Sequence, residues 1–146
     1  MDLGRRAATR DDQAFARRVH HQAYRGVVEQ QFGRWDEAEQ DAYFDRAWEQ
    51  HAHDMLEWGG SACGYAAVEL GRTAVDVHEL VVHPEYQGRG IGTHVLTETV
   101  DQARRLGLPV RLQVLLENDR AARLYERIGF RGCGTTATHR QMRLDP

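Results

Sequence analysis

A glycine-rich segment at residues 87–92, QGRGIG, has the clearest chemical potential in this sequence. It follows the apolar run LVV at 80–82 and precedes a segment whose apolar residues recur at helical spacing. The first amides of a helix have no intrahelical acceptor and lie at the positive end of the helix dipole. Glycines allow such a backbone to approach a ligand closely. The segment therefore predicts a phosphate-binding loop.

Two common phosphate motifs do not fit this loop. The dinucleotide fingerprint Gly-x-Gly-x-x-Gly fails because its sixth position is Thr93 counted from Gly88, or Val95 counted from Gly90. The Walker loop requires a lysine, and all 19 basic residues are arginine. Without lysine there is no Schiff-base catalysis either. The single serine, Ser61, lacks the Gly-x-Ser-x-Gly setting of a hydrolase nucleophile.

A third phosphate motif fits both this loop and a later segment. Gln87-x-x-Gly90-x-Gly92 resembles the pyrophosphate loop of the GNAT superfamily of N-acetyltransferases, Gln/Arg-x-x-Gly-x-Gly/Ala. Residues 118–130, NDRAARLYERIGF, resemble the second motif of that superfamily, Asn-x-x-Ala-x-x-Leu-Tyr-x-x-x-Gly-Phe. The two motifs have the order and spacing of the family, and the resemblance covers residues 78–130.

The resemblance implies that acetyl-CoA is the acyl donor and lies in a gap between two splayed central strands. By position, the backbone of Leu80, Val81 and Val82 would pair with the pantetheine arm, and an N–H there would polarise the thioester oxygen. Such fixed donors contribute roughly 3 kcal/mol each to acyl transfer. The other cofactor-binding residues that the resemblance implies are Gln87, Gly88, Arg89, Gly90, Ile91, Gly92, Thr93, Asn118, Ala121 and Tyr125.

Tyr125 stands at the tyrosine position of the second motif. The resemblance implies that its hydroxyl lies near the CoA sulfur and gives a proton or a hydrogen bond to the departing thiolate. A phenol with a reference pKa of about 10 is protonated at neutral pH, and a thiol of about 8.5 is a tolerable leaving group. Tyr125 is therefore predicted to be the general acid.

Two neighbouring residues are candidates for the general base, which must take a proton from the ammonium form of the acceptor. Glu79 occupies a position where the family often has a glutamate or histidine base, and His78 is the alternative. Successive strand residues face opposite ways, so one of the two points into the cleft unless a bulge intervenes. Some relatives carry a catalytic glutamate on the next strand, where this chain has Gln113, which cannot act as a base.

The charge distribution suggests where the acceptor binds. Residues 29–57 hold nine acids and two arginines, which favours a cationic amine, whereas residues 72–146 hold 11 arginines and nine acids, which suits a polyphosphate. Trp35 and Glu79 are the predicted acceptor-binding residues, although the helical spacing of Trp35 also fits a core position. A small-molecule amine and a peptide amine both remain open as acceptors.

The composition indicates a cytoplasmic protein with no nucleic-acid or membrane partner. No secretory signature and no apolar run near the ~20 residues of a membrane span is present. Cys63 and Cys133 form no Cys-x-x-Cys pair, which predicts two reduced thiols. The histidines lack a metal-binding spacing, so no metal is expected. Homodimers are common among relatives, but the sequence reveals no interface.

The pattern of apolar residues predicts a single α+β domain over residues 1–146. The resemblance implies a mostly antiparallel mixed sheet, splayed between its fourth and fifth strands and flanked by about four helices. Helices are predicted at about 11–32, 35–50, 91–106 and 118–128, and strands at about 3–9, 55–58, 62–70, 73–83, 110–116 and 137–144.

The predicted function is transfer of acetyl from acetyl-CoA to an amine by direct nucleophilic attack. Cys63 and Cys133 match no catalytic motif, which disfavours a covalent acetyl-enzyme. A catalytically silent acetyl-CoA-binding regulator is one alternative, and the intact motif at Tyr125 argues against it. A kinase-like enzyme acting on a phosphate ligand is the other, and the missing lysine argues against it.

Overall fold

Strands and helices follow one another in the predicted order, with one additional strand. The structure, a computed structural model, describes residues 2–146. Its elements are β1 (Leu3–Ala7), α1 (Gln13–Phe32), α2 (Glu37–Gln50), β2 (Asp54–Trp58), β3 (Ser61–Leu70), β4 (Val75–Val82), α3 (Ile91–Leu106), β5 (Val110–Leu115), α4 (Asp119–Ile128), β6 (Arg131–Thr135) and β7 (His139–Leu144). Single 3-10 turns occur at Arg10–Asp12 and Pro84–Tyr86.

The strands pair in the order β1-β2-β3-β4-β5-β7-β6. β4 and β5 are parallel, whereas β1 with β2, β2 with β3, β5 with β7, and β6 with β7 are antiparallel. The predicted class, α+β with a mixed, mostly antiparallel sheet and four helices, is confirmed. The parallel pair of β4 and β5 is the pair at which the resemblance implies a splay.

The strand that the sequence does not indicate is β6. All five of its residues are exposed, and two of them are glycines. It lies at the end of the sheet and pairs only with β7, with an irregular register between Gly132 and Gly134. An edge strand without a buried face lacks the alternation of apolar and polar residues by which strands are recognised.

The described chain divides into two compact units, and β3 and β4 contribute residues to both. The first unit comprises residues 2–67 and Glu79–Ile91. It contains the antiparallel pairs of β1, β2 and β3 together with α1 and α2. Its apolar core is formed by Ala16, Val19, Phe44, Met55, Tyr65 and Val81.

The second unit comprises Val68–His78 and Gly92–Pro146. The first part of β4 pairs there with β5, from Val75 opposite Val110 to Val77 opposite Leu112. The apolar stripe of α3 is buried, including Val95, Leu96, Val100 and Ala103. No helix in residues 2–146 combines the length and apolar character needed to cross a bilayer.

Two local signals fix the ends of the helices in the first unit. α1 ends at Gly33, whose φ of 78° is the left-handed conformation that glycine adopts without strain. α2 begins after Asp36, whose carboxylate accepts a hydrogen bond of 3.0 Å from the amide of Glu39. These caps determine where α1 ends and where α2 begins.

Candidate active site

The glycine-rich loop lies where the sequence predicts it, between the end of β4 and the start of α3. Gly88 and Gly90 have φ values of 80° and 79°, which only glycine adopts readily. Residues 88–90 are exposed, and no atom lies within 4 Å of a Cβ built on Gly88. Ile91 is 2% exposed and anchors the first turn of α3. An open, left-handed backbone before a helix N-terminus is suited to an anionic group.

The side chains of this loop contact their own chain. The Gln87 amide donates a hydrogen bond of 3.0 Å to the carbonyl of Val82. The Arg89 guanidinium lies 5.1 Å from the centre of the Tyr86 ring and donates to the carbonyl of Glu85 at 3.4 Å. These contacts brace the loop, so we infer that its backbone amides, more than its side chains, are available to a phosphate.

The end of β4 lies unusually close to β3. A Cβ built on Gly64 would be 2.2 Å from the carbonyl oxygen of Val81 and 3.1 Å from the Cα of Val82. The amide of His83 also donates a hydrogen bond of 2.8 Å to the carbonyl of Cys63. Gly64 therefore permits the position of the backbone that the resemblance assigns to the pantetheine arm.

Glu79 lies on β4 two residues before Val81, on the face that packs against the core of the first unit. Its side chain keeps some exposure but is densely surrounded by protein atoms. This burial raises the pKa of the carboxyl from 4.5 to about 7. A carboxyl whose pKa lies near neutral pH is suited to act as a general base.

The charge of Glu79 acts on two phenols, Tyr43 of α2 and Tyr65 of β3, and Tyr24 of α1 acts in turn on Tyr65. Burial, and next the charge of Glu79, raise the pKa of Tyr43 to about 12. Burial, and next the charge of Glu79, also raise the pKa of Tyr65. Tyr24 and Tyr43 add smaller contributions to this rise. The Tyr43 and Tyr65 hydroxyls are therefore protonated at neutral pH.

Tyr65 carries an unsatisfied hydroxyl. Its side chain is 1% exposed, and among residues 2–146 its oxygen finds no hydrogen-bond partner. A buried polar group without a partner costs about 1–3 kcal/mol, so such groups are retained mainly at sites that meet a ligand or an internal water. The orphaned hydroxyl marks the surroundings of Glu79 as a candidate polar site.

His78, the alternative base, is arranged differently. It is exposed, and its Nε2 lies 2.9 Å from a carboxylate oxygen of Glu69. Neighbouring residues of a strand face opposite ways, and Glu79 faces the core of the first unit. Gln113 is exposed on β5, where it pairs with Gln141 of β7. The geometry favours Glu79 over His78 as the base, and both roles stay predictions.

The second motif forms α4 in the second unit. The amide of Ala121 donates a hydrogen bond of 3.3 Å to the Asn118 side chain, which caps the helix. Tyr125 is half-buried, with its ring edge-on to Phe130 at 5.9 Å. A Cβ built on Gly92 would lie 3.6 Å from Leu124, so α4 packs against the first turn of α3. The two motifs thus meet at Gly92 and α4, and the cofactor and acid roles of these residues stay predictions.

Trp35, the predicted acceptor-binding residue, already has polar and aromatic partners. Its indole N–H donates a hydrogen bond of 2.6 Å to Glu37, and its ring stands edge-on to His21 at 5.0 Å. The guanidinium of Arg25 lies 5.9 Å from its centre. These contacts place Trp35 among the charged residues between α1 and α2, and its role toward the acceptor stays a prediction.

Comparison with known proteins decides the family. The model of the Acetyltransferase (GNAT) family matches residues 9–130, which is most of the chain. The chain belongs to the GNAT acetyltransferase family. This confirms the family that residues 78–130 resemble and extends the match to the N-terminal helices.

Among related sequences, N-alpha-acetyltransferase RimI of Mycobacterium tuberculosis is 46% identical over 80 residues, which are 52% of this chain and 49% of RimI. An uncharacterized N-acetyltransferase of Methanocaldococcus jannaschii, MJ1207, is 27% identical over 143 residues, 86% of this chain and 59% of that protein. The chain spans about half the length of the relatives it matches.

Solved structures share the GNAT fold with this chain. The PaiA N-acetyltransferase of Thermoplasma acidophilum in complex with coenzyme A superposes with a TM-score of 0.77 at 16% identity, over all of both chains. The ribosomal-protein-S18-alanine N-acetyltransferase of Escherichia coli superposes with a TM-score of 0.70 at 19% identity, over 98% of this chain and 93% of that one. These likenesses confirm the predicted fold.

Tyr24, Tyr65 and Gly64 were not among the site residues predicted from the sequence. Gly64 carried a signal, because a glycine inside an apolar strand often marks the close approach of another backbone. Tyr24 and Tyr65 carried none, since an aromatic residue in a helix or strand is most often a core residue.

Proposed function

We propose that this chain is an N-acetyltransferase that transfers the acetyl group of acetyl-CoA to an amine by direct attack. The observation that carries the proposal is Glu79, a carboxyl of pKa about 7 on the strand that leads into the glycine-rich loop of a GNAT family member. A base tuned to neutral pH on that strand is what an ammonium acceptor requires. A silent acetyl-CoA-binding module would have no use for such a group.

In the proposed reaction Glu79 acts first. Its carboxylate takes a proton from the acceptor ammonium, and the freed nitrogen attacks the thioester carbon. The C–N bond forms, the tetrahedral intermediate loses its second nitrogen proton, and the C–S bond breaks. The Tyr125 hydroxyl donates a proton to the departing sulfur, and the second nitrogen proton then reprotonates the Tyr125 phenolate. Neither Cys63 nor Cys133 takes part.

The acceptor is proposed to be a cationic amine. The surface between α1 and α2 carries exposed or half-buried acids, including Asp36, Glu37, Glu39, Asp41 and Asp45. One structurally similar protein is named as a ribosomal-protein-S18-alanine N-acetyltransferase, and one related sequence is named for L-methionine sulfoximine and L-methionine sulfone. Both a peptide amine and a small-molecule amine are therefore included in the test.

The decisive experiment incubates the protein with acetyl-CoA and, in turn, an alanine-initiated peptide, free L-alanine and L-methionine sulfoximine. We expect CoA release and a mass increase of one acetyl group on at least one acceptor. The same peptide with a blocked N-terminus is the control and should remain unmodified. Binding of acetyl-CoA without acetylation of any of these amines would favour the regulatory alternative.

Replacing Tyr125 with Phe is expected to lower kcat about tenfold, because one hydrogen bond to the leaving sulfur is lost and thiolates leave readily without full protonation. The KM for acetyl-CoA should change little. The check is steady-state kinetics from pH 6 to 9. A wild-type rate across this range would show that Tyr125 is not the acid.

Reversing two charges tests the acceptor surface. We expect the double substitution Glu37→Lys and Glu39→Lys to raise the KM for a cationic acceptor several-fold. The reason is the loss of about 1 kcal/mol of electrostatic attraction between the acids and the acceptor. The KM for acetyl-CoA should be unchanged. Glu98→Lys, at an exposed position on α3, is the matched control. An unchanged KM in the double variant would place the acceptor elsewhere.

A further inference from the structure

The proposed reaction releases a proton that must pass from Glu79 to solvent in every turnover. The acceptor nitrogen loses two protons in passing from ammonium to amide, and the leaving sulfur takes up one. One proton per turnover must therefore leave the site. Glu79 is the group that first holds this proton, and it is densely surrounded by protein atoms. A route from its surroundings to water is required.

A line of hydrogen bonds in the first unit connects a buried histidine with the surface. The Nδ1 atoms of His20 and His21 are 2.9 Å apart, and Nε2 of His21 lies 2.7 Å from Oδ1 of Asp41. Exposure increases along the line: His20 is 4% exposed, and the side chains of His21 and Asp41 are 13% and 41% exposed. The line thus runs outward from the interior between α1 and α2.

The hydrogen bonds allow one arrangement of protons when both rings are neutral. The Asp41 carboxylate only accepts, so the proton of His21 is on Nε2. Nδ1 of His21 is then an acceptor, and His20 must donate to it from its own Nδ1. Nε2 of His20 is left with a free lone pair. The inner histidine is therefore held ready to accept a proton.

The inner end of the line lies beside two phenols of the first unit. The ring of His20 is 5.1 Å from that of Tyr24 and 5.8 Å from that of Tyr43. The ring of His20 also lies 5.8 Å from that of Phe44, which shares one apolar core with Val81, two residues after Glu79 on the same face of β4. The charge of Glu79 contributes, after burial, to the raised pKa of Tyr43. The buried histidine and the carboxyl thus share one aromatic environment.

We propose that His20, His21 and Asp41 form a proton line that connects the surroundings of Glu79 with solvent, a role that rests on the proposed function. The Glu79 carboxyl passes its proton through a water molecule to Nε2 of His20. His20 passes its Nδ1 proton to His21, and His21 passes its Nε2 proton to Asp41, which releases it to bulk water. Each step breaks one bond to hydrogen and forms one. Exchange of the ring protons with water then restores the starting tautomers, with no net gain or loss of protons by either ring.

The surroundings of the line are compatible with this role. Burial, with a smaller contribution from His21, lowers the pKa of His20 to about 4, so His20 is neutral at rest. At the outer end a Glu37 carboxylate oxygen lies 3.8 Å from Nε2 of His21, and Arg17 lies 3.9 Å from Asp41. The acids facing His21 stabilise a positive charge in transit.

The test is His21→Gln. A glutamine amide can donate to Asp41 and accept from His20, so it preserves the hydrogen bonds but does not relay a proton. With acetyl-CoA and the alanine-initiated peptide as substrates, we expect kcat to fall about tenfold and the solvent isotope effect on kcat to increase. The KM for acetyl-CoA and the melting temperature should stay unchanged. His94→Gln is the matched control, because His94 pairs with Glu98 at 3.3 Å on the exposed face of α3.

A wild-type kcat and isotope effect in His21→Gln would overturn the proton line. A lower kcat with an unchanged isotope effect would also overturn it, because positioning alone would then explain the loss. Failure of the wild-type protein to acetylate any amine would instead overturn the proposed function. In the protein alone, nitrogen NMR should find His20 protonated at Nδ1 and His21 at Nε2, and the opposite tautomers would overturn the line whatever the acceptor.

Discussion

Glu79→Gln is expected to lower kcat/KM at pH 7.5 by about a hundredfold to ten-thousandfold, the usual contribution of a general base. Glutamine has nearly the same shape but cannot take a proton. In the wild-type protein the rate should rise with pH and level off above about pH 7, because the active carboxylate forms as Glu79 ionises. The variant should lose this part of the pH profile while its KM for acetyl-CoA stays unchanged.

The same substitution has an opposite effect on stability. Burial raises the pKa of Glu79 in the folded state above its ordinary value of 4.5, so ionisation costs the folded protein stability as pH rises from 4.5 through about 7. Glu79→Gln should therefore melt at a higher temperature than the wild type at pH 8 and at nearly the same temperature at pH 4.5. Glu98→Gln, at an exposed position on α3, is the control for both measurements. Full activity in Glu79→Gln combined with an inactive His78→Ala would assign the base to His78.

Gly64→Ala is expected to destabilise the protein by about 3 kcal/mol, near the upper end of overpacking substitutions. The added Cβ would meet the Val81 carbonyl oxygen at 2.2 Å and the Val82 Cα at 3.1 Å. Both are backbone atoms, so β4 itself must move. Because this backbone is proposed to bind the pantetheine arm, we also expect the KM for acetyl-CoA to rise at least tenfold.

A second glycine provides the control for Gly64. Gly26 lies inside α1 with no atom within 4 Å of a built Cβ. Gly26→Ala should therefore stabilise the protein by up to about 1 kcal/mol and leave the kinetics unchanged, because alanine favours the helix. Denaturant unfolding and acetyl-CoA titrations of both variants provide the check. A stable Gly64→Ala variant with a wild-type KM would show that the close approach of β3 and β4 has no role in donor binding.

The glycine-rich loop and α4 could be predicted from the sequence because each is formed by one contiguous segment. The amides of a loop and the cap at Asn118 depend on residues a few positions apart, so a linear motif describes them fully. The order of strands and helices followed from periodicity for the same reason. The edge strand β6 was not predicted because none of its residues is buried, so its sequence shows no alternation of apolar and polar residues.

The surroundings of Glu79 are a different kind of feature. Tyr43 and Tyr65 come from a helix and a strand, and only tertiary packing brings both phenols within the electrostatic influence of one carboxyl. The sequence therefore predicted Glu79 as the base with His78 as the alternative, and it could not reveal the burial that raises the pKa of Glu79. Nothing in the sequence distinguishes His20 and His21 from the other six histidines. Their role becomes visible only in the fold, where Asp41 of α2 lies beside His21.

The irregular edge strand β6 has a practical consequence. Its register shift lies between Gly132 and Gly134, on either side of Cys133, and the Cys133 thiol is exposed. Cys63 is fully buried, which raises the pKa of its thiol and shields it from reagents. A thiol-reactive dye used to count released CoA would therefore also read about one equivalent per chain from the native protein. Under native conditions, the same cysteine offers a single attachment point for a fluorescent label.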